Sequence, residues 1–151
     1  MKIIIFIVLF SVLTTCNASN CFSMAGRRYN IDPDLLRAIG EVESNSHSNA
    51  IGLNQKSGYG VGRMQIDSNN FKHLKRFGIT PQELLKNDCL NIYVGAYYLS
   101  IAFKKWGVNW ESVGAYNAGF KKSQKQKMRR HIYFDKVKRA YGKIKFNKLN
   151  I

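Results

Sequence analysis

The sequence predicts a single, mainly α-helical domain with one small irregular or β insert. The chain has 151 residues, 45% of them apolar, which suffices for one domain with a real core. Apolar residues recur at helical spacing over most of the chain, and capping residues mark where helices start. The stretch 44–62 lacks that spacing because eleven of its nineteen positions are Ser, Asn or Gly. This stretch is therefore the predicted loop or short hairpin.

The first 18 residues have the features of a secretory signal peptide. Lys2 precedes an apolar run over residues 3–13, about half of the roughly 20 residues that a membrane-spanning helix needs. Small residues at Cys16 and Ala18 predict cleavage after Ala18, which leaves residues 19–151 as the mature chain. Two alternatives remain open: an uncleaved membrane anchor, and lipidation at Cys16, although the preceding threonine matches a lipoprotein signal poorly.

Helix positions follow from caps and from apolar spacing. Asp32 as the cap and Pro33 in the first turn predict a helix that continues to Ser44. The later predicted helices are one from Asp67 or Ser68 to Gly78, one opened by a Thr80/Glu83 capping box, one from Asp88 to near Gly107, one from Asn109 to Gly119 and one from Lys127 to Tyr141.

The apolar spacing also predicts which faces of the two longest helices point inward. On the helix from Asp88, the inward residues are Leu90, Val94, Tyr97, Tyr98 and Ile101. On the last helix, the residues expected to face the body of the domain are Met128, Ile132, Val137 and Tyr141.

Cysteine usage predicts one disulfide. Removal of the signal peptide leaves Cys21 and Cys89, and an exported chain folds in oxidising surroundings. We predict that these two cysteines pair and join the start of the first helix to the start of the helix at residue 88; two buried free thiols are the alternative. The sequence shows no closely spaced Cys/His set for a metal, and the scattered histidines are expected at the surface, namely His47, His73 and His131.

Charge is the most extreme feature of the composition. The formal net charge is +15, and residues 121–151 hold twelve basic residues against one acid, Asp135. Such a segment favours a polyanionic partner. Inside a cell this would indicate nucleic acid, but for an exported chain it indicates cell-wall polymers or acidic lipid. A solvated basic face without a partner is the alternative.

Two glutamates near the end of the helix from Pro33 differ in helical phase. With Leu35 at 0° and about 100° per residue, Glu43 falls at about 80°, on the apolar side, and Glu41 at about 240°. Partial burial and the negative end of the helix dipole both favour the protonated form of a carboxyl group there. Glu43 is therefore a candidate general acid. The alternative is a helix that frays one turn early and leaves Glu43 solvated.

Three motifs together resemble a known family. The segments LLRAIGEVES, GRMQI and GAYNAG resemble, in order and spacing, the catalytic domain of the soluble-type (SLT) lytic transglycosylases, relatives of goose-type lysozyme. The resemblance extends from Cys21 to about Tyr141. The segments CFSMAGRRYNIDPDLLRAI, CLNIYVGAYYLS and IYFDKVKRAY are similar to the small peptidoglycan lytic enzymes that accompany type III and type IV secretion systems. The resemblance implies a lysozyme-like helical domain.

Position by position, the resemblance implies the roles of individual residues. Glu43 would be the catalytic acid and base. Substrate contacts are implied for Ser44, Met64, Gln65, Tyr116, Asn117 and Tyr133, with Tyr133 facing the acid. Ordinary core packing of the two tyrosines and a helix-end role for Asn117 are the alternatives. Two residues depart from the family pattern: Arg63 replaces a leucine, and Asp67 stands where close relatives have asparagine.

The activity implied by the resemblance is non-hydrolytic cleavage of peptidoglycan. The β-1,4 bond between N-acetylmuramic acid and N-acetylglucosamine would be cut with a 1,6-anhydro product, without a cofactor or metal. The expected setting is the periplasm, with peptidoglycan glycan strands as partner, secretion-system components as a further possible partner, no nucleic acid, and a monomeric enzyme. Lysozyme-type hydrolysis and a basic wall-binding protein whose cleft does not cut remain as alternatives.

Overall fold

The computed structural model describes residues 18–53 and 58–150. In these ranges the helices are α1 (Ala18–Tyr29), α2 (Pro33–Ser44), α3 (Phe71–Leu74), α4 (Pro81–Lys86), α5 (Asp88–Trp106), α6 (Trp110–Ala118) and α7 (Gln124–Leu149). The strands are β1 (Ile51–Leu53), β2 (Tyr59–Val61) and β3 (Ile66–Asp67). The predicted mainly α fold with a small insert is confirmed. The predicted signal peptide, apart from Ala18 at the start of α1, lies outside the described residues.

Local sequence sets most of the helix ends. The side chains of Asp32 and Asn109 cap α2 and α6 by accepting backbone N–H groups of the first turn. Thr80 and Glu83 form the predicted capping box at the start of α4. The helix predicted from residue 67 or 68 is broken into a 3-10 turn, α3 and a second 3-10 turn, which ends at Gly78 in the left-handed conformation.

The insert is a three-stranded antiparallel sheet with the strand order β1-β2-β3. Gly52 pairs with Gly60, and Gly60 pairs with Asp67 on its other side. Glycine at both positions leaves room for the Gln65 side chain, which lies across the sheet. A Cβ atom at Gly52 would lie 2.3 Å from Gln65 Oε1, and one at Gly60 would lie 2.6 Å from it. Of the two structures predicted for this stretch, the hairpin is the correct one.

The core lies around α5. This helix packs against α1 and α6, while α7 packs across α2 and α6. Fully buried side chains from these elements and from the turn after β2 include Leu36, Ile39, Met64, Ile92, Leu99 and Val137. Each such burial contributes about 2 kcal/mol. Gly95 allows α5 to approach that turn closely, since a Cβ atom there would lie 2.7 Å from Met64 Cβ.

The predicted inward face of α5 is correct except at its end. Val94 is buried, and Leu90, Tyr97 and Tyr98 are partly buried. Ile101, however, is 37% exposed. Its side chain lines a surface cavity with Tyr98 rather than the core, so the prediction that Ile101 faces inward is wrong.

The final helix differs from its prediction in length and in phase. It runs from Gln124 to Leu149 instead of from 127 to 141. Met128 and Ile132 are 55% and 51% exposed, so their predicted inward orientation is wrong. The inward positions near them belong to Arg130 and Tyr133. An arginine can take a core position here because its charge is paired with Glu111 of α6.

Cys21 and Cys89 form a disulfide, as predicted, with their Cα atoms 5.2 Å apart. The bond joins α1 to the first turn of α5. Beside it, Arg63 donates from Nε and Nη2 to the Asp88 carboxylate, over 2.8 and 2.7 Å. Arg63 also donates from Nη1 to the carbonyl of Ser46, just beyond α2. The disulfide therefore holds α1 to the start of α5, and Arg63 holds the turn after β2 to the start of α5 and to the residue beyond α2.

Candidate active site

Glu43 lies in the last turn of α2, and the helix does not fray before it. The helix continues to Ser44, and Asn45 ends it in the left-handed conformation with its N–H bonded to the carbonyls of Glu41 and Gly40. Glu41 is exposed, and its carboxylate accepts a hydrogen bond from the Ser46 hydroxyl. Glu43 is partly buried and points into the domain, so the predicted separation of the two glutamates is confirmed.

Two side chains from distant segments contact the Glu43 carboxyl group. Tyr133 of α7 donates its hydroxyl to Glu43 Oε1 over 2.6 Å. Asn117, in the last turn of α6, also forms a side-chain hydrogen bond to Glu43. Tyr133 therefore lies opposite the acid, at the position that the family resemblance implied.

The surroundings of Glu43 shift the pKa of its carboxyl group to near neutral pH. Burial raises the pKa of Glu43 to about 7, against hydrogen bonds from Tyr133 and Asn117 that lower it. Burial, and then the nearby Glu43 charge, raise the pKa of Tyr133 and of Tyr116 well above the usual value for tyrosine. Both tyrosines therefore stay neutral hydrogen-bond donors, and Glu43 can supply a proton at neutral pH.

A cavity of about 260 Å³ opens in front of the acid. Its lining comes from the ends of α2 and α6 and from one face of α7: Val42, Glu43, Asn117, Arg129, Ile132, Tyr133 and Lys136. A larger cavity of about 630 Å³ lies elsewhere, between α1, α2 and α7, and does not include Glu43. The site is thus defined by the chemistry of its carboxyl group and not by cavity size.

Met64 contributes to the site through its backbone. Its side chain is fully buried, so the prediction that this side chain lines the sugar cleft is wrong. Its backbone N–H donates to Asn91 Oδ1 over 2.8 Å, and its carbonyl accepts the Tyr116 hydroxyl over 2.7 Å. Asn91, itself fully buried, also donates to the carbonyls of Val61 and Leu84. Met64 and Asn91 therefore fix the turn against which Tyr116 is positioned.

Gln65 and Tyr116 line a second cavity, of about 220 Å³, which also includes Asp67. Gln65 has a φ of 47°, in the left-handed region, and its side-chain amide donates to the carbonyl of Gly62 over 2.8 Å. This unusual backbone conformation costs free energy and carries the side chain across the sheet. Ser44 is turned back to its own helix, where its hydroxyl donates to the Gly40 carbonyl.

The two residues that depart from the family pattern have structural partners. Arg63 neither lines the cavity of Glu43 nor points freely at solvent. Its guanidinium donates to the Asp88 carboxylate and to the Ser46 carbonyl. Asp67 caps a 3-10 turn by accepting from the Asn69 amide over 2.8 Å. Because Asp67 lines the second cavity, it is not placed as a second carboxylate beside Glu43.

The sequence prediction missed two cations that line the cavity of Glu43, Arg129 and Lys136. They lie four residues before and three after Tyr133, so helical spacing around the tyrosine was the signal that could have found them. Among the described residues, no group of three or more His, Cys, Asp or Glu side chains is arranged to hold a metal ion. None of the described helices combines the length and apolar character needed to cross a bilayer.

A carboxyl group whose pKa is raised by burial, and which accepts a hydrogen bond from a tyrosine hydroxyl, is suited to general acid catalysis. The model of the transglycosylase SLT domain family matches residues 20–136. The chain therefore belongs to this family and is a lytic transglycosylase enzyme, as the motifs predicted.

Particular relatives support the same assignment. The chain is 56% identical to the X polypeptide of Escherichia coli over 142 residues, 94% of this chain and 84% of the relative. It is 40% identical to the invasion protein IagB of Salmonella typhimurium, covering 93% and 87% of the two chains. It is 35% identical to the protein IpgF of Shigella flexneri, covering 91% and 89%. The predicted similarity to small members of the lytic transglycosylase family is thus confirmed.

A solved structure shows the same fold. An inactive mutant of the lytic transglycosylase Slt from Pseudomonas aeruginosa superposes with a TM-score of 0.64 at 25% identity, over 87% of this chain. The chain spans 24% of that larger protein. The predicted lysozyme-like, SLT-type helical fold is confirmed.

Proposed function

We propose that the protein cleaves the β-1,4 bond between N-acetylmuramic acid and N-acetylglucosamine in peptidoglycan and releases a 1,6-anhydro-muramic product. The observation that carries this proposal is the Glu43 carboxyl group: burial raises its pKa to about 7, Tyr133 donates a hydrogen bond to it, and it opens to a cavity. Membership of the SLT family supplies the substrate class.

The proposed reaction uses Glu43 twice. Its proton passes to the glycosidic oxygen as the bond from C1 to that oxygen breaks, and the substrate's own N-acetyl group stabilises the positive charge at C1. The Glu43 carboxylate then takes the proton of the C6 hydroxyl, and O6 bonds to C1. Glu43 ends protonated again, and no water is consumed. One residue can serve both steps because its pKa of about 7 lies near the operating pH.

Each surrounding group suits this scheme. The Tyr133 hydroxyl and the Asn117 side chain hold the carboxyl group in place and stabilise it when it is ionised after the first step. Asp67 lines the other cavity, so a two-carboxylate mechanism has no support at Glu43. Tyr116, fixed on the Met64 carbonyl, and Gln65 bound the neighbouring cavity, where we place an adjoining sugar.

We further propose that the enzyme is exported and acts on the wall outside the cytoplasm, as a monomer. The apolar segment 3–13 with its small residues at 16 and 18 supports export. A role in opening the wall for a secretion machine rests on relatives such as the invasion protein IagB. The high positive charge, +15 overall, suits a carboxylate-rich polymer such as the wall.

The deciding experiment is mass spectrometry of fragments released from purified peptidoglycan by residues 19–151, beside Glu43→Gln. We expect anhydro-muramic ends from the wild type and none from the variant. Reducing ends would contradict the proposed product and establish a hydrolase. Release of no fragments by either protein would contradict the proposed activity and favour a binding module or an enzyme that needs a partner. Matching denaturation curves will show that the variant is folded.

A further inference from the structure

One face of α7 carries four side chains into the cavity of Glu43. Arg129, Ile132, Tyr133 and Lys136 are spaced i, i+3, i+4 and i+7, which places them on one stripe of the helix. Tyr133 is buried and bonded to Glu43, whereas the other three are exposed. The exposed residues form what we call the cavity stripe: Arg129, Ile132 and Lys136.

The two cations of the cavity stripe have no ion-pair partner in the part of the chain that the structure describes. Arg129 donates to the side-chain amide of Gln126 over 3.3 Å. The adjacent residue, Arg130, behaves differently. It is buried, is paired with Glu111, and donates to two backbone carbonyls. The stripe therefore has charge available for a ligand.

Arg129 and Lys136 line the same cavity as the Glu43 carboxyl group. The pKa of that group is raised by burial and lowered by hydrogen bonds from Tyr133 and Asn117. The two exposed cations are placed to contact what enters the cavity. Between them, Ile132 is 51% exposed and offers an apolar contact.

We propose that the cavity stripe binds the carboxylate-bearing substituent of the muramyl sugar and so makes the enzyme selective for charged glycan. The proposal rests on the proposed function, since it places the glycan in the cavity of Glu43. In peptidoglycan a carboxylate next to an apolar methyl group comes from two sources: the stem peptide, or the lactyl group that is exposed when the peptide is removed. Two cations flanking an isoleucine match this combination.

The test measures binding in a Glu43→Gln background, so that no cutting occurs. Soluble glycan strands are used in four forms: with peptides, stripped of peptides, and each of these with its carboxylates converted to primary amides. The test variant is Arg129→Gln with Lys136→Gln. The matched control is Lys127→Gln with Lys138→Gln. It removes the same charge from the opposite side of α7, at positions about 160–180° from Arg129 around the helix axis.

We expect the test variant to weaken binding of at least one carboxylate form about tenfold, with no effect on the amidated forms. The control variant should bind like the parent. Whichever carboxylate form shows the loss identifies the source, stem peptide or lactyl group. In the enzyme with Glu43 intact, the same pair of substitutions should raise KM for that form and leave kcat unchanged.

Equal binding by the test and control variants, or an equal loss on amidated and charged strands, would overturn the proposal. Absence of binding to every strand would do the same. The outcome is separable from that of the proposed function. If the wild type releases no anhydro fragments but the tenfold difference persists, the catalytic proposal fails and the binding inference stands.

Discussion

Glu43 and Glu41 show how two positions in a helix decide the chemistry of a carboxyl group. Both belong to the last turns of α2, yet Glu41 is exposed and bonded to Ser46, while Glu43 is directed at Tyr133. The two side chains lie about 160° apart around the helix axis. This was predictable because helical phase depends on neighbours within a few residues. The raised pKa depends in addition on burial by α6 and α7.

The first prediction at this scale concerns the pH dependence of cleavage. Because Glu43 must start protonated, kcat/KM should fall as the pH rises past about 7, the value to which burial raises its pKa. The Tyr133 hydrogen bond lowers that pKa, so Tyr133→Phe should raise it further and move the descending limb to higher pH, by about one unit or less. Initial rates of glycan release between pH 5 and 9 measure this.

The control for this prediction is Tyr141→Phe on the same helix. The Tyr141 hydroxyl donates to Asp32 over 2.7 Å, away from the cavity of Glu43. Its loss should leave the limb in place. An unmoved limb in Tyr133→Phe would mean that the tyrosine is a packing residue with no electrostatic effect on the acid.

At the scale of elements, the predicted number and position of the helices agree with the structure more closely than the predicted orientation of their faces. The phase of α7 was mispredicted because Met128 and Ile132 were counted as core residues, whereas Arg130 occupies the core position. An arginine is assigned to the surface from its charge alone. It is buried here because Glu111 and the carbonyls of Gly119 and Lys121 replace its water. Those partners lie on other segments of the chain.

Arg63 links elements in a way that the family pattern did not predict. Its guanidinium binds both oxygens of Asp88 at the start of α5 and reaches the carbonyl of Ser46 beyond α2. Two nearly parallel N–H bonds to one carboxylate are stronger than a single surface ion pair. The pair is also only partly exposed, with side-chain exposures of 14% and 24%, so solvent weakens it less than a surface pair.

We therefore expect Arg63→Leu and Asp88→Ala each to lower the free energy of unfolding by about 1 kcal/mol. Since both remove the same interaction, the double variant should lose less than the sum of the two. Urea denaturation of the four proteins gives the coupling free energy. Strict additivity would show that Arg63 and Asp88 contribute independently and that the pair does not hold α2 against α5.

At the scale of the whole molecule, the basic segment has two uses. Residues 121–151 were predicted to favour a polyanionic partner, and most of them form α7, which packs on α2 and α6. Lys145 and Lys148 pair with Asp34 of α2, and Lys145 also pairs with Asp32. Burial alone would raise the pKa of Asp34, but its hydrogen bonds from Lys148 and Lys145 lower it overall. Part of the positive charge therefore stabilises the fold, and the remainder is available to a partner.

The disulfide is the strongest single constraint on the whole chain. It closes a loop with a sequence separation of 68 residues between α1 and α5. The chain-entropy model assigns about 4 kcal/mol to a loop of this length. We expect Cys21→Ala with Cys89→Ala to lower the free energy of unfolding by up to about that amount, measured by urea denaturation of residues 19–151 without reductant.

Thiol titration provides the independent check on the disulfide. Denatured, unreduced residues 19–151 should show no reactive thiol. Two reactive thiols, together with unchanged stability of the double alanine variant, would contradict the bond. A reductant should destabilise the wild type and leave the double variant unaffected.

The sequence by itself determined most of the helix starts, the polar insert, the phase of α2 and, through three spaced motifs, the family. Caps, glycines and helical period act over a few residues, so a chain segment carries this information wherever it lies. Only the tertiary structure decided that Met64 is buried, that Arg130 replaces an apolar residue in the core, and that Arg129 and Lys136 flank the acid's cavity. The physical reason is desolvation: a polar or charged group can be buried, or a cation left for a ligand, according to partners that the fold brings from distant segments.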